Sequence, residues 1–214
     1  MSQVVHVVDY GIGNLYSVAR AIEKAGGTAQ LTSDPTLLTS AERIILPGVG
    51  AFKPCIDTLR ESGLAEAVVA FARSGRPFLG ICVGMQALFD YSLEFGRHEG
   101  LGLIPGHVAP IPGQDESGSR KVPHIGWSPL LLPAERNGWA GSLLADQQPG
   151  RSSAYFVHSY SCLPRRAEHR LAEVNYADYP ICAAVQSGNI VGCQFHPEKS
   201  GEVGLRILSA FLAR

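Results

Sequence analysis

Excess charge and long apolar runs are missing from this 214-residue sequence, and we expect no leader segment from its first residues. Lys and Arg number 18 against 19 Asp and Glu, which gives a net charge of −1, whereas nucleic-acid binders usually carry a basic excess. No stretch reaches the roughly 18 apolar residues of a membrane span. No basic segment precedes an apolar run at the start, as it would in a signal peptide. We therefore expect neither nucleic acid nor a membrane among the partners of this chain.

Cysteines are few, odd in number and without the spacing of a disulfide framework. The five are Cys55, Cys82, Cys162, Cys182 and Cys193. This pattern predicts reduced thiols in a cytoplasmic protein. A metal site built on Cys193, His196 and Glu198 is an alternative that we do not favour, because no second Cys or His lies at ligand spacing there. We expect no cofactor.

The composition provides for a packed core, since 45% of the residues are hydrophobic and only 17% are charged. In the first half, short apolar runs that end in glycine loops alternate with helical patterns, which is typical of a parallel sheet covered by helices. Strands are predicted at Val4–Val8, Thr28–Leu31, Arg43–Leu46 and Pro77–Cys82. Helices are predicted from a cap at Asn14 to Ala25, over Pro54–Phe71 with an interruption at Gly63, and over Gly84–Tyr91.

The second half of the chain is richer in strands. Strands are predicted at Leu103–Ile111, Tyr155–Tyr160, Leu171–Tyr176, Cys182–Gln186 and Ile190–Gln194, and a last helix at Gly201–Leu212. The polar, Gly- and Ser-rich segment Pro112–Lys121 is predicted to be a mobile surface loop, and Pro133–Ser153 shows no clear pattern. We therefore predict one α/β domain with a largely parallel central sheet, flanking helices and a strand-rich second half.

The segment Phe78–Gln86 places Cys82 between a predicted strand and a predicted helix, in the pattern Gly-x-Cys-x-Gly. This is the nucleophile-elbow pattern with sulfur in place of a serine oxygen, and its glycines allow a sharp turn. Backbone N–H groups after the turn favour a thiolate and a developing oxyanion. Cys82 is therefore the candidate nucleophile, with a buried structural cysteine as the alternative.

A thiol nucleophile needs a base, and His196 with Glu198 supplies one. Pro197 disfavours a helix at His196, and in an extended segment residues two apart project to the same side. The carboxylate then reaches the imidazole, fixes its tautomer and stabilises its charged form. The sequence predicts a Cys82–His196–Glu198 triad, the alternative being a surface histidine beside a solvated glutamate.

Two further glycine loops follow predicted strands. The loop Leu46–Phe52 lies at the carboxyl end of the sheet, where α/β sites form, and its N–H groups are candidate oxyanion donors. It is not a phosphate loop, since no Gly-Lys-Ser/Thr follows. The loop Asp9–Asn14 lacks the third glycine of a dinucleotide fingerprint.

Six segments carry a resemblance to a known family and together span nearly the whole chain: Asp9–Leu15, Leu46–Phe52, Gly80–Gln86, Pro123–Trp127, Tyr155–Tyr160 and Gln194–Gly201. They resemble class I, triad-type glutamine amidotransferases. More narrowly, they are similar to the glutaminase subunits of imidazole glycerol phosphate synthase of histidine biosynthesis. We therefore expect residues 1–214 to form one such domain. Ser128 departs from the Asn that is usual in the family after the Trp.

The resemblance implies that glutamine is hydrolysed to glutamate and ammonia through a thioester on Cys82, with His196 and Glu198 managing the proton. The oxyanion donors that it implies are the backbone groups of Val83, Gly48, Val49 and Gly50. The glutamine-binding residues that it implies are Gln86, Glu94, His158, Ser159 and Tyr160.

The resemblance also implies a partner, a barrel cyclase subunit in a heterodimer, to which ammonia is channelled. That partner makes imidazole glycerol phosphate and aminoimidazole carboxamide ribotide, and its bound nucleotide activates the glutaminase. The implied interface residues are Asn14, Trp127, Tyr155 and Lys199. We expect the Pro47–Gly50 segment to change peptide orientation on activation, because its glycines permit such a change.

Three other functions keep some of these features. A glutaminase of another synthase, such as those for pyridoxal phosphate, anthranilate or carbamoyl phosphate, shares the triad, but Pro123–Trp127 and Tyr155–Tyr160 favour the histidine pathway. A free-standing cysteine hydrolase of γ-glutamyl peptides needs no partner. A third alternative is a regulatory binding module on this fold that has lost its catalytic activity. Every expected catalytic residue is present here, however.

Overall fold

The structure is a computed structural model that describes residues 3–115 and 118–214. Its helices are α1 (Leu15–Lys24), α2 (Pro35–Ser40), α3 (Phe52–Glu61), α4 (Leu64–Arg73), α5 (Val83–Gln86) and α6 (Gly201–Leu212). Its first strands are β1 (Val4–Val8), β2 (Thr28–Thr32), β3 (Ile44–Leu46), β4 (Phe78–Ile81), β5 (Phe89–Ser92), β6 (His98–Glu99) and β7 (Ile104–Pro110). The later strands are β8 (Gln114–Asp115), β9 (Gly118–Ser119), β10 (His124–Pro129), β11 (Ser153–His158), β12 (Tyr160–Pro164), β13 (Arg170–Tyr176), β14 (Tyr179–Ser187) and β15 (Ile190–Cys193). Single 3₁₀ turns occur at Ala167–His169 and Pro197–Lys199.

The central sheet has seven strands in the order β13-β14-β15-β4-β3-β1-β2. The five from β15 to β2 are parallel, and β14 and β13 add an antiparallel edge. Every residue of β3 and β4 is buried, as expected for parallel strands with both faces covered. This confirms the predicted α/β domain. None of the helices in the described residues has the length and hydropathy to cross a membrane.

Strands β5–β7 and β10–β12 lie outside the central sheet and form two smaller sheets. The order β12-β7-β5-β6 forms a four-stranded sheet, and β10 pairs with β11 as an antiparallel ribbon. The ribbon contacts α6 and the turn at Pro197–Lys199. Residues 133–152, which showed no clear pattern in the sequence, form turns, with Trp139 buried and its indole N–H donating to Leu171 O at 2.8 Å.

Three local predictions are wrong. The helix predicted at Gly84–Tyr91 ends after one turn at Gln86, because the residues from Phe89 onward pair with β7 instead. The strand predicted at Tyr155–Tyr160 breaks at Ser159, where the chain passes from the ribbon into the four-stranded sheet. Asn14 precedes α1, but its side chain makes no capping hydrogen bond.

The predicted loop Pro112–Lys121 also differs from expectation where it is described. Gln114–Asp115 pairs with Gly118–Ser119, and residues 116–117 lie outside the described residues. Arg120 is buried, and its guanidinium donates to Pro112 O at 2.7 Å and to Ala177 O at 2.8 Å. The described ends of this segment are therefore held against the body of the protein. The predicted helix interruption is confirmed, since Gly63 adopts a φ of 71° between α3 and α4.

Candidate active site

Cys82 stands at a strained turn between β4 and α5. Its φ of 55° and ψ of −113° lie in a region that non-glycine residues occupy at a cost of about 1–3 kcal/mol. The Cys82 N–H donates to Cys193 O at 2.8 Å, which ties the turn to the neighbouring strand β15. Cβ atoms at Gly80 and Gly84 would lie 2.7 Å and 2.0 Å from backbone oxygens. The strand–turn–helix context of a nucleophile elbow is therefore present, and its glycines are required by close backbone contacts.

His196 follows β15, and hydrogen bonds to its backbone N–H and carbonyl groups hold it in place. Its N–H donates to Tyr155 O at 3.0 Å, and its carbonyl accepts from the Ser200 hydroxyl at 2.7 Å. A Cβ at Gly204 of α6 would lie 1.8 Å from Pro197 O, so α6 packs directly on this turn. The imidazole is thus fixed between β11 and α6.

The three predicted catalytic side chains come together. Nδ1 of His196 lies 2.7 Å from Oε1 of Glu198, and both side chains are almost fully buried. The ring also interacts with the Cys82 side chain, and both residues line the same cavity. Burial alone lowers the pKa of His196, but hydrogen bonds with Cys82 and Glu198 outweigh burial and raise the pKa to about 9. At neutral pH the ring is therefore protonated.

The other four cysteines are buried and free. Burial raises the pKa of each of these thiols, to about 12 for Cys182, so they remain protonated at neutral pH. This agrees with their interpretation as residues outside the catalytic centre. In residues 3–115 and 118–214, no group of three or more His, Cys, Asp or Glu side chains could hold a metal ion.

A cavity of about 410 Å³ opens onto Cys82 and His196. It is also lined by residues predicted from the sequence: Val49, Gly50, Val83, Gln86, Glu94, His158, Ser159, Tyr160 and Lys199. Gly48, which was also predicted, is not among the lining residues. Pro123 and Val157, which the sequence reasoning did not assign to the site, complete the wall.

Gln194 is a site residue that the sequence reasoning missed. It is fully buried, its amide Nε2 lies 3.8 Å from the Cys82 sulfur, and its Oε1 accepts from Gln86 Nε2 at 3.1 Å. Its position two residues before His196 was the available signal. Glu94 is also fixed, since its carboxylate accepts a hydrogen bond from the Phe52 N–H.

His158 forms a buried chain of hydrogen bonds with His124 and Ser128. Nδ1 of His158 lies 2.8 Å from Tyr160 O, its Nε2 lies 3.2 Å from His124 Nδ1, and His124 Nε2 lies 2.9 Å from Ser128 Oγ. Burial lowers the pKa of both histidines to about 4, so both rings are neutral at pH 7. Because Tyr160 O only accepts, each histidine donates through Nδ1 and accepts through Nε2. Both nitrogens of His158 thus have protein partners, and its ring positions the strand at Tyr160.

The loop Pro47–Gly50 lies against the elbow, and its orientation bears on the oxyanion donors. The Val83 N–H, the predicted donor next to the nucleophile, donates to Gly48 O at 3.3 Å. In this conformation the N–H group is occupied by the loop. Gly50 has a φ of 84°, a conformation that glycine adopts without strain.

The outer face of the β10–β11 ribbon is apolar and exposed. Ile125 pairs with Val157 and Trp127 with Tyr155 across the ribbon. Ile125 and Trp127 are each 57% exposed, and the Trp127 and Tyr155 rings meet edge to face with centroids 6.1 Å apart. This face adjoins the cavity, because Val157 belongs to both. We call these four residues the ribbon face.

Two other predicted interface residues lie outside the ribbon face. Asn14 is half-buried at the start of α1, and Lys199 is exposed and lines the cavity. Ser128 points inward, towards His124, so its departure from the family pattern leaves the ribbon face unchanged.

The profile of the family described as glutamine amidotransferase class-I matches residues 6–214. The imidazole glycerol phosphate synthase subunit HisH 1 of Legionella pneumophila (strain Lens) is 47% identical over 209 residues, which cover 97% of this chain and 98% of that protein. The chain belongs to the HisH family of class I glutamine amidotransferases. Another HisH subunit, from Wolinella succinogenes, is 43% identical over 216 residues, covering 97% and 98% of the two chains.

Solved structures agree on the class I glutamine amidotransferase fold. The structure of PurLQS from Thermotoga maritima gives a TM-score of 0.71 at 21% identity, covering 100% of this chain and 99% of that one. The glutaminase domain of CTPS from Trypanosoma brucei gives a TM-score of 0.65 at 16% identity, covering 100% and 95%. Identities this low establish the fold alone, whereas the HisH relatives place the chain within the family.

Proposed function

We propose that this chain is the glutaminase subunit of an imidazole glycerol phosphate synthase and that its cavity hydrolyses glutamine. The observation that carries the proposal is that Cys82 and His196 line one cavity, while buried Glu198 holds the His196 ring from behind and the pKa of His196 is raised to about 9. That arrangement provides a nucleophile, a proton carrier and an orienting carboxylate.

In the proposed reaction the Cys82 sulfur attacks the side-chain carboxamide carbon of glutamine. The carbon–nitrogen bond breaks as protonated His196 gives its proton to the departing ammonia, which leaves a thioester. Water then attacks the thioester, with neutral His196 taking its proton, and glutamate is released. Glu198 keeps the ring oriented through its 2.7 Å hydrogen bond and stabilises its charged form.

The carboxamide is held for this attack by the walls of the cavity. We assign the glutamine-binding role to Gln86, Glu94, Ser159 and Tyr160, with His158 acting through the strand. The oxyanion is assigned to the Val83 N–H together with the Gly48–Gly50 backbone. Because the Val83 N–H donates to Gly48 O in this structure, the Pro47–Gly50 loop must shift before the hole is complete. The isolated chain should therefore be slow.

The ribbon face, Asn14 and Lys199 are the proposed contact surface for the barrel cyclase. Four neighbouring apolar side chains beside the cavity are better explained by a partner than by solvent. A partner seated there covers the cavity mouth, so that ammonia passes across the contact without mixing with bulk water. The five free cysteines support a reducing, cytoplasmic location.

The test is glutamate release from glutamine, by the chain alone and with the barrel cyclase and its nucleotide substrate. A large rise with cyclase and nucleotide, abolished by Cys82→Ala, supports the proposal. Rapid turnover alone, indifferent to the cyclase, indicates a free-standing hydrolase or the glutaminase of another synthase. No turnover by the folded chain under either condition indicates a binding module.

A further inference from the structure

The Pro47–Gly50 loop is held at three successive carbonyl groups by three different elements. The Tyr10 hydroxyl donates to Pro47 O at 2.8 Å, the Val83 N–H donates to Gly48 O at 3.3 Å, and the Cys55 thiol donates to Val49 O at 3.1 Å. The Val83 bond is the longest of the three. The two side-chain bonds flank the peptide whose carbonyl occupies the Val83 N–H.

Tyr10 and Cys55 contact the loop from two different parts of the chain, one before the loop in the sequence and one after it. Tyr10 follows β1, and Cys55 lies in α3. Both are buried, at 6% and 3% exposure, and burial raises the pKa of both groups. Each therefore remains protonated at neutral pH and keeps its hydrogen to donate. A Cβ at Gly48 would lie 3.1 Å from the Tyr10 hydroxyl, so that hydroxyl touches the loop directly.

The proposed hydrolysis makes no other use of these two side chains. Neither lines the catalytic cavity, so neither can touch the substrate from its observed position. The inference rests on the proposed function in one respect: the N–H after the nucleophile binds the oxyanion of an elbow enzyme. That N–H is released only when Gly48 O moves away, and such a movement strains or breaks the two flanking bonds.

We infer that Tyr10 and Cys55 are positioning residues that hold the Pro47–Gly50 loop in the conformation that occupies the Val83 N–H. They act through the loop and set the ratio between unstimulated and cyclase-stimulated turnover. Their removal favours the shifted loop without adding or removing a group that contacts glutamine.

The experiment compares Tyr10→Phe, Cys55→Ala and Cys55→Ser with the unmodified chain. Tyr10→Phe removes only the hydroxyl, and we expect unstimulated turnover to rise about three- to ten-fold, the change expected from one net hydrogen bond. Cys55→Ala should raise it less, since a thiol is a weak donor. Cys55→Ser restores a donor and should return turnover towards that of the unmodified chain. Stimulated turnover and the KM for glutamine should stay the same.

Cys182→Ala is the matched control, because it removes another buried thiol that lies outside the cavity. It should leave the ratio of stimulated to unstimulated turnover unchanged. A purely structural role for Tyr10 or Cys55 would lower both rates together and would not raise the unstimulated one.

Hydrogen exchange of the Val83 N–H gives a readout that does not depend on catalysis. Exchange should become faster in Tyr10→Phe and in Cys55→Ala and should be unchanged in Cys182→Ala. Unaltered Val83 exchange and unaltered unstimulated turnover in a folded Tyr10→Phe/Cys55→Ala double variant would overturn the inference. Absence of glutaminase activity in the unmodified chain, both alone and with the cyclase and its nucleotide, would instead overturn the proposed function, and the exchange rates would still test whether the two side chains hold the loop.

Discussion

Two glycine-containing loops meet at Cys82, and they are held in different ways. In the elbow, added Cβ atoms at Gly80 and Gly84 would meet backbone atoms at 2.7 Å and 2.0 Å, and backbone cannot yield as a flexible side chain can. In the Pro47–Gly50 loop, an added Cβ at Gly48 would also meet backbone, at 2.7 Å from Gly84 N, whereas Gly50 has open space around it. The carbonyls of Pro47 and Val49 accept side-chain hydrogen bonds. The nucleophile is thus fixed by packing on both sides, while the Gly50 end of the loop that occupies an oxyanion donor is held by bonds that can be exchanged.

The largest effect should come from breaking the elbow itself. In Gly84→Ala the new methyl group would lie 2.0 Å from Leu46 O, so β3 and α5 must separate. We expect destabilisation above about 3 kcal/mol, beyond the usual cost of overpacking, and little folded protein. Urea unfolding or the soluble yield measures it. Gly138→Ala is the control, because nothing lies within 4 Å of its Cβ; equal stability of the two variants would contradict the rigid elbow.

Removing the carboxylate behind the elbow should affect catalysis next most strongly. Glu198→Gln removes one of the two hydrogen bonds that raise the pKa of His196, so that pKa should fall. We expect turnover to drop at least about 100-fold. Turnover of the unmodified chain should decline as pH rises through about 9, because the ring then loses the proton that ammonia needs.

The pH profile distinguishes this role from simple damage. In Glu198→Gln the alkaline decline should begin at a lower pH than in the unmodified chain, as measured by glutamate release from about pH 6 to about pH 10. Glu202→Gln removes an exposed carboxylate in the first turn of α6 and should change neither rate nor profile. An alkaline decline at the same pH in Glu198→Gln would count against this account of His196.

Gly50→Val tests the second loop and should have a smaller effect. The side chain has space, but a φ of 84° costs about 1–2 kcal/mol for a residue with a Cβ. The fold should therefore survive, while the observed loop conformation loses its advantage and the ratio of stimulated to unstimulated turnover falls towards one. The measurement is glutamate release by one preparation of the variant, without the cyclase and with the cyclase and its nucleotide. Unaltered activation in this variant would remove the idea that the loop changes conformation.

The same contrast explains what could be predicted from the sequence. The elbow depends on residues within one short segment, so Gly80, Cys82 and Gly84 were sufficient to predict it. His196 and Glu198 lie two apart on an extended segment, so their contact also followed from local geometry. The central sheet was predictable because buried parallel strands are continuously apolar.

What the sequence did not predict depends on partners distant along the chain. The helix after Cys82 ends at Gln86 because β5 pairs with β7, a pairing that has no local signal. The occupied Val83 N–H and the bond from Cys55 to Val49 O arise only from packing of α3 and the elbow around the loop. Gln194 was likewise missed, because its amide reaches Cys82 across neighbouring strands.

The buried pair His124 and His158 extends the comparison to the wall of the cavity at Tyr160. Hydrogen bonds between neutral side chains hold this wall, and protonation of these histidines would destabilise the folded protein. Both histidines have a folded-state pKa of about 4 against about 6.5 unfolded. As pH falls below about 6.5 the unfolded chain binds protons that the folded chain does not, so stability is lost between about pH 6.5 and about pH 4. Each histidine should lower the free energy of unfolding by about 2 kcal/mol at about pH 5 relative to neutral pH.

In His124→Gln the loss of unfolding free energy between about pH 7 and about pH 5 should therefore shrink by about 2 kcal/mol. Urea unfolding at the two pH values measures this difference. His107→Gln is the matched control, since that ring is half-buried and stacks on Tyr91, outside the His124–His158 pair. A pH dependence in His124→Gln equal to that of the unmodified chain would show that the pair is not the source of acid sensitivity, and the wall at Tyr160 would then be held by packing, as the elbow is.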